Sequence, residues 1–350
     1  MTPRARRILI IADAVHPVPP LNYGGAERIV AYLCGYLGER GYLVDLLAKA
    51  GSMKTTGTLY PHRLPKPGKL SRGITKARFW YESLLLARSA DAIINFGRLD
   101  YLAPVIKYSN RPLMCVFQNP AHQSEIDYVL RSRKTGIRFI GVSHSQFHGI
   151  KTSGLLEIIH NVSSTVECQP TPPPMDKPYF AFLGRLTANK GVHLAIQAAR
   201  QAQAHLKIAG TIAEDEPEGR EYFRTQVTPY LDSQIEYVGP VNDVQKCELL
   251  SGAAALLFPI QWNEPCALVL PESLSYGCPV IGWNIACVPE IIDNGITGFL
   301  VNSIEEMVTA IAKVDLLSRE RCKQVAENKF SVQSLGMQYE RILTEMIAAS

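Results

Sequence analysis

Two glutamates, Glu264 and Glu272, are separated by seven residues in the segment 258–282, FPIQWNEPCALVLPESLSYGCPVIG. The segment is typical of a buried strand, a turn at 263–265 and an apolar helix, whose first backbone N–H groups would form an anion site. Glu272, about two turns further along the helix, can accept hydrogen bonds from a pair of ribose hydroxyls, and Glu264 would lie near a reacting sugar. The predicted anion-binding amides are those of Cys266, Ala267, Leu268 and Val269. The alternative is that both glutamates are solvated acids on an ordinary helix face.

Two cations follow another predicted strand, in the segment 182–191, FLGRLTANKG. Arg185 and Lys190 come after Gly184, at the carboxyl end of the strand and beside a helix start. Cations in this position can neutralise a diphosphate whose charge grows as a glycosidic bond breaks. The alternative is ordinary surface charge.

A glycine pair opens the first long helix, in the segment 22–27, NYGGAE. Gly24 and Gly25 would let the backbone approach a phosphate closely, although the spacing is not the G-x-G-x-x-G of a dinucleotide site. The alternative is a simple turn.

The elements that must position these residues repeat a strand–helix alternation in both halves of the chain. With 350 residues, 47% hydrophobic and 19% charged, the chain has the length and composition of two globular domains. The fold class predicted is α/β, with two Rossmann-like, doubly wound parallel-sheet domains that face each other across a ligand-binding cleft. Strands are predicted at 8–12, 44–48, 91–96, 113–117, 139–142, 179–183, 206–209, 235–238, 254–258 and 279–281, and helices at 26–40, 192–203, 244–251, 268–275, 304–314 and 332–348.

The domain limits follow from the same alternation. Residues 1–165 are predicted to form the first domain, and residues 179–331 the second. The segment 166–178, VECQPTPPPMDKP, has five prolines and no periodicity, which predicts a linker. Residues 332–350 would form a closing helix that could pack back on the N-terminal domain.

The charge distribution and the cysteine pattern indicate where the protein is located in the cell and what kind of partner it binds. Residues 1–175 carry 22 Lys and Arg against 11 Asp and Glu, whereas the remainder carries 14 against 21. A basic first half suggests an anionic partner, such as a phosphorylated acceptor or a lipid surface, and no motif supports nucleic acid. The apolar run after the basic N-terminus ends at Asp13, and the eight cysteines are scattered without a C-x-x-C pair. We therefore expect a cytoplasmic protein, which could also lie peripherally at the inner face of a membrane.

Together the three motifs resemble glycosyltransferase family 4, whose members are retaining enzymes of the GT-B fold. The E-x7-E, GR…KG and GGAE segments occur in the family's order, and the resemblance runs through nearly the whole chain. Asn161, in IIHNV, also matches the family's Asn before the domain linker.

The resemblance implies that residues 1–165 bind the acceptor and residues 179–331 the nucleotide sugar. It also implies a role for each site residue. Arg185 and Lys190 would hold the donor diphosphate, Glu272 the ribose, Glu264 the transferred sugar, Gly25 the phosphates or the sugar, and Val241 would lie near the base. The donor would be a UDP- or GDP-sugar co-substrate, with no cofactor. Reaction on one face of the sugar, with the leaving phosphate helping to deprotonate the acceptor, needs no metal, and the sequence has no D-x-D triplet.

Two departures from the family pattern touch the site. Where many relatives have a His that contacts the donor sugar, this chain has Gln118 and Asn119, and the nearest histidine, His122, either takes its place or is an ordinary loop histidine. The segment 284–290, NIACVPE, replaces a Gly-rich turn, so Ala286 and Cys287 should stiffen that loop and change its donor contacts.

Two further enzyme activities and one binding role compete with transfer to an acceptor. A nucleotide-sugar epimerase or a sugar phosphorylase would use the same overall fold, and a donor-binding but inactive partner of another transferase would keep the donor site without turnover.

The segment 66–81, KPGKLSRGITKARFWY, has five cations, no acid and three terminal aromatics. This composition is typical of a peripheral membrane contact and would favour a lipid-linked acceptor over a glycan or small-molecule one. The alternative is a helix that begins near Phe79 and buries its aromatics, after a solvated loop.

Overall fold

The computed structural model describes residues 4–20, 24–62, 69–163, 178–213 and 217–350, with the side chains of 69–72 left out. The strands are β1 Arg7–Ile11, β2 Leu43–Lys49, β3 Leu59–His62, β4 Ala92–Asn95, β5 Leu113–Phe117, β6 Ile137–Gly141, β7 Leu156–Ile158, β8 Tyr179–Leu183, β9 His205–Ala209, β10 Ile235–Gly239, β11 Leu256–Phe258, β12 Val280–Trp283 and β13 Gly298–Val301. The helices are α1 Gly25–Glu39, α2 Lys69–Ser89, α3 Ala103–Tyr108, α4 Gln123–Ser132, α5 Val192–Gln201, α6 Pro217–Gln226, α7 Asp243–Gly252, α8 Val269–Ser275, α9 Val288–Ile291, α10 Ile304–Ile311, α11 Arg319–Phe330 and α12 Val332–Ala348.

The chain divides into two compact units. Unit 1 comprises Met1–Asn161 and Val332–Ser350, and unit 2 comprises Val162–Ser331. The N-terminal part of unit 1 thus ends at Asn161, four residues before the predicted limit at 165. The predicted linker, 166–178, lies outside the described residues except for Pro178.

In unit 1 the described strands form a parallel sheet in the order β3-β2-β1-β4-β5-β6-β7. Ile8 lies opposite Val44 on one side and Ala92 on the other, and the central strands are buried almost throughout. Helices cover both faces of such a sheet, which explains why its inner strands are nearly continuous aliphatic runs. The strand order reverses between β1 and β4, where a doubly wound sheet leaves a crevice at its carboxyl edge.

In unit 2 the described strands form a second parallel sheet in the order β10-β9-β8-β11-β12-β13. Here the order reverses between β8 and β11, which pair through Leu256 and Ala181. The loops after these two strands carry the cations and the first glutamate that the sequence singled out. The predicted α/β class with two Rossmann-like parallel-sheet domains is confirmed.

The last helix, α12, completes unit 1 by packing on α1. Gly336 lies against the ring of Tyr36. A Cβ at position 336 would come within 2.2 Å of that ring. The Tyr36 hydroxyl donates to Glu340 at 3.0 Å, and Arg40 pairs with the same carboxylate at 3.2 Å. Only glycine permits this close approach, which fixes the register of the two helices.

The alternative of a loop directly before Phe79 is wrong, since α2 begins at Lys69, and residues 66–68 of this segment lie outside the described residues. Lysine and arginine are good helix formers, and Arg78 pairs with Glu82 one turn later at 2.7 Å. Phe79 is buried, whereas Trp80 and Tyr81 are 36% and 69% exposed, so the three aromatics do not act as one cluster.

Among the described residues, no helix is long and apolar enough to cross a bilayer. Of the seven cysteines in the described part of the chain, six are free thiols, five of them buried, and Cys247 is disulfide-bonded. The scattered spacing had given no sign of a disulfide.

Candidate active site

Two backbone contacts in unit 2 bring the loop after β8 against the loop after β11. Gly191 has φ 77°, and a Cβ on it would come 2.0 Å from the carbonyl oxygen of Pro259. The amide of Gln261 donates to the carbonyl of Asn189 at 2.8 Å. Glycine is therefore required at position 191 both for its dihedral and for the close approach. These contacts place the two predicted motifs side by side.

Lys190 and Glu264 form an ion pair across this junction. The indole N–H of Trp262 donates to the same carboxylate oxygen of Glu264 at 3.0 Å, and the Lys190 ammonium lies 5.5 Å from the centre of the Trp262 ring. Glu264 is only 8% exposed. A buried carboxylate needs such partners, since an unpaired charge would be strongly destabilising.

Arg185 and Gly184 lie in the same loop as Lys190. The amide of Thr187 donates to the Arg185 carbonyl at 3.0 Å, which begins the tight turn that ends in a 3-10 turn at Ala188–Lys190. A Cβ on Gly210 would come 1.8 Å from the Gly184 carbonyl oxygen, so the ends of β8 and β9 are in close contact. Arg185 is half-buried and follows the carboxyl end of β8 by two residues.

Glu272 lies on α8 and meets a lysine from α7. The Lys246 ammonium is 2.6 Å from Glu272 Oε1 and 3.1 Å from Asp243 Oδ1. Burial lowers the pKa of Lys246, but the two carboxylates outweigh it, so the pKa is raised overall and the lysine stays protonated. Val241 is half-buried, just before the Asn242 cap of α7 and after β10.

The predicted anion-binding amides at 266–269 lie at the start of α8. Leu268 is the N-cap of α8 and Val269 its first residue, while Cys266 is half-buried before them. The backbone of Ala267 lies close enough to the Cys287 thiol for a hydrogen bond that lowers the thiol pKa. Burial raises the pKa of Cys287 well above its ordinary value, and the thiol is therefore protonated. The segment 284–290 thus reaches the predicted anion site.

Ala286 explains how this segment turns without glycine. It adopts φ 54°, the left-handed region, which costs a residue with a Cβ about 1–2 kcal/mol. The backbone thus takes the left-handed conformation that a Gly-rich turn would adopt easily.

The glycine pair of unit 1 lies at the carboxyl end of β1. Gly24 has φ 150° and caps α1, and a Cβ on it would come 2.8 Å from a carboxylate oxygen of Glu27. Gly25 is the first residue of the helix. Burial raises the pKa of Glu27, whose carboxylate lies at its own helix start. The positive φ confirms that Gly24 needs glycine for its conformation, whatever it binds.

The two amides that replace the family's histidine lie at the end of β5. Gln118 and Asn161 are paired side chain to side chain, with Asn161 donating to Gln118 at 2.8 Å. The side-chain amide of Gln146 donates to the carbonyls of Phe117 and Asn119, which fixes the backbone after β5.

His122 is exposed at the N-cap of α4, where its backbone amide donates to Glu125 at 3.3 Å. In the sheet, β4 lies between β1, which precedes the loop to the glycine pair, and β5, which ends just before Gln118.

Within the ranges that the structure covers, no group of three or more His, Cys, Asp or Glu residues is arranged to hold a metal ion.

Sequence reasoning missed Trp262, Lys246 and Gln146. The only local signal was that Trp262 stands two residues before Glu264, close enough for a turn to bring its N–H back to the carboxylate.

Residues 165–331 match the family model described as glycosyl transferases group 1. The putative glycosyltransferase YtcC of Bacillus subtilis (strain 168) is 31% identical over 150 residues, which are 40% of this chain and 36% of that protein. The chain spans only 32% to 56% of the length of the first curated relatives it matches.

Solved structures resemble the chain over nearly its whole length. The sucrose-phosphate synthase of Thermosynechococcus elongatus has a TM-score of 0.78 at 17% identity, covering 99% of this chain and 100% of that one. HepE of Anabaena, solved in complex with UDP and glucose, has a TM-score of 0.71 at 17% identity, covering 96% and 99%. At these identities the likeness is one of fold.

Proposed function

Because residues 165–331 match the family model of glycosyl transferases group 1, we propose that the chain is a retaining, metal-independent glycosyltransferase using a nucleotide-diphosphate sugar. The resemblance to glycosyltransferase family 4 and the predicted GT-B fold are confirmed. The observation that carries the proposal is the Lys190–Glu264 pair, which joins the two unit 2 motifs at the point where the strand order reverses.

In this proposal the donor diphosphate binds Arg185 and Lys190. Lys190 is paired with Glu264 in the structure, and a diphosphate would compete for its ammonium. Trp262 donates to Glu264 as well, so the carboxylate keeps a partner when Lys190 turns to the phosphate. The cations would then stabilise charge that develops on the leaving diphosphate, which is the requirement for lowering the barrier.

The bond changes of a retaining transfer are simple to state. The bond from the anomeric carbon to the diphosphate oxygen breaks, and a bond to the acceptor oxygen forms on the same face of the sugar. The leaving phosphate oxygen takes the acceptor's proton. Glu264 would contact the transferred sugar and Glu272 the ribose hydroxyls of the nucleoside diphosphate, with Val241 near the base.

A thermal-shift screen tests the donor site. At a ligand concentration of 100 Kd, binding stabilises the folded state by about 2.7 kcal/mol, which corresponds to several degrees in Tm. We expect one UDP- or GDP-sugar to shift Tm, with UDP favoured because UDP is bound in the HepE structure. Glu272→Ala should reduce the shift strongly. Absence of a shift with any nucleotide sugar contradicts the donor site.

Chelation should leave activity unchanged. Arg185 and Lys190 supply positive charge at the proposed diphosphate position, which Mg²⁺ would otherwise provide. Turnover would be measured after EDTA treatment and again after Mg²⁺ or Mn²⁺ is added. Complete loss with EDTA, restored by either ion, contradicts the metal-free mechanism.

We also propose that unit 1 contacts an anionic lipid surface through one face of α2. Ile74, Tyr81 and Leu85 are 62%, 69% and 50% exposed, and their spacing of seven and four residues places them on one face. Arg78 and Arg88 flank this apolar stripe, and both are exposed. A helix with exposed apolar and basic groups side by side suits the headgroup region, which favours a lipid-linked acceptor over a soluble one.

Sedimentation with vesicles tests this contact. The chain should pellet with anionic phosphatidylglycerol vesicles at low salt and much less at high salt, because salt shortens the Debye length and screens the attraction between the basic residues and the vesicle. The double variant Tyr81→Ser, Leu85→Ser should lose most of the pelleting, whereas Leu316→Ser, at a site 78% exposed in unit 2, should not. If nothing pellets with anionic vesicles at low salt, a soluble acceptor is indicated.

A further inference from the structure

Near the proposed donor site, Lys246 and Glu272 form an ion pair to which no role has yet been given. The Lys246 ammonium is 2.6 Å from Glu272 Oε1, and both side chains are largely buried, at 14% and 15% exposure. Hydrogen bonds between charged groups are short and strong, and here little solvent competes with them. One carboxylate oxygen of Glu272 is therefore held by the protein itself.

Lys246 is held in place by its own helix. Asn242 caps α7 by accepting from the amide of Gln245 at 2.9 Å, and the Gln245 side chain accepts from the Asn242 amide at 3.0 Å. Asp243, one turn before Lys246, accepts a second bond from the ammonium at 3.1 Å. The neighbouring Cys247 is 2% exposed, which anchors this side of α7 in the core.

We propose that Lys246 is a positioning residue that orients Glu272 for ribose and so selects ribonucleotides over 2′-deoxyribonucleotides. The inference rests on the proposed function, in which Glu272 accepts from the ribose hydroxyls. A free glutamate side chain on a helix samples several rotamers, and each would present its oxygens differently. With Oε1 fixed by the ammonium, Oε2 has one direction in which to accept hydroxyl groups. A nucleotide that lacks the 2′-hydroxyl then leaves this preorganised acceptor with the 3′-hydroxyl as its only ribose partner.

The test compares two ligands on three proteins. Kd would be measured by calorimetry for UDP and 2′-deoxy-UDP, or for the GDP pair if GDP binds the wild-type chain more tightly. We expect the wild type to prefer the ribonucleotide by about 10- to 100-fold, as the loss of a hydrogen bond to a charged group implies. Lys246→Gln should prefer it by less than about 3-fold, and Lys246→Arg should restore most of the preference.

Two controls separate positioning from stability. Lys329→Gln removes a lysine whose ammonium lies 3.1 Å from Asp293, 53% exposed in the same unit, and should keep the wild-type preference. If Lys246→Gln fails to fold, Lys246→Met fills the same space with an unbranched side chain and carries the same expectation.

A merely structural role for Lys246 would weaken both nucleotides equally and leave their ratio at the wild-type value, which would overturn the inference while leaving the proposed function intact. If neither UDP nor GDP binds the wild type, both the inference and the donor site are wrong. A wild type that binds ribo- and deoxyribonucleotides equally would refute the ribose role of Glu272, and with it the inference.

Discussion

Lys190→Ala is expected to lower kcat by about 100- to 1000-fold while changing the KM for the donor by less than about 10-fold. The ammonium would stabilise charge that grows on the leaving diphosphate, so its loss is felt more in the transition state than in the bound donor. Removal of the ammonium also leaves the buried Glu264 carboxylate with the hydrogen bond from the Trp262 indole N–H. Initial-rate kinetics over a range of donor concentrations would separate kcat from KM.

The matched control for this experiment is Lys207→Ala. Lys207 is also a lysine of unit 2, with its ammonium 4.3 Å from the centre of the Tyr179 ring, but it lies on β9 rather than in the candidate site. Its kcat should remain near that of the wild type. Arg185→Ala should behave like Lys190→Ala, and unchanged turnover in both would remove the diphosphate assignment.

Gly191→Ala is expected to destabilise unit 2 by about 2–4 kcal/mol and to abolish most activity. The alanine would have to adopt φ 77°, and its Cβ would come 2.0 Å from the Pro259 carbonyl oxygen. The two loops must therefore move apart, which would separate Lys190 from Glu264. Urea unfolding and turnover would be measured on the same preparation.

Gly295→Ala separates the two causes of this loss. Gly295 has nearly the same dihedral, φ 75°, but no atom lies within 4 Å of the position of its Cβ. We expect it to lose only about 1 kcal/mol, the cost of the dihedral alone, with activity retained. Equal losses in both variants would mean that the contact with Pro259 does not hold the loops together.

The sequence was informative for the inner strands of the sheets and poor for the edges. All five strands predicted in the first half exist, but β3 and β7, at the two edges of the sheet, were missed. In the second half the edge strand β13 was missed, whereas β10, at the other edge, was predicted at 235–238. Edge strands have a neighbouring strand on one side only and are less buried, so they lack the continuous aliphatic run that marks an inner strand. Strand β3 also contains Pro61, which is unusual inside a sheet.

The candidate site shows the same limit at the level of side chains. Glu264 and Lys190 were recognisable by type and position within motifs, and the structure brings them together although 74 positions separate them. Lys246 reaches Glu272 from another helix, 26 positions away, and no periodicity within α7 indicates where its side chain points. Contacts through space depend on the sheet order, which local spacing does not determine.

Transfer of labelled sugar is the measurement that tests the proposed function most directly. The full chain would be incubated in EDTA with each radiolabelled UDP- or GDP-sugar and with lipid-linked and soluble acceptor fractions. Released nucleoside diphosphate, transferred label and the anomeric configuration of the product by NMR would be recorded. We predict label on an acceptor with retained configuration, nucleoside diphosphate released in equal amount, and both lost in Lys190→Ala. Isomerisation of the donor, consumption of phosphate, or tight donor binding without release of nucleoside diphosphate even to water would contradict the account and indicate an epimerase, a phosphorylase or an inactive partner.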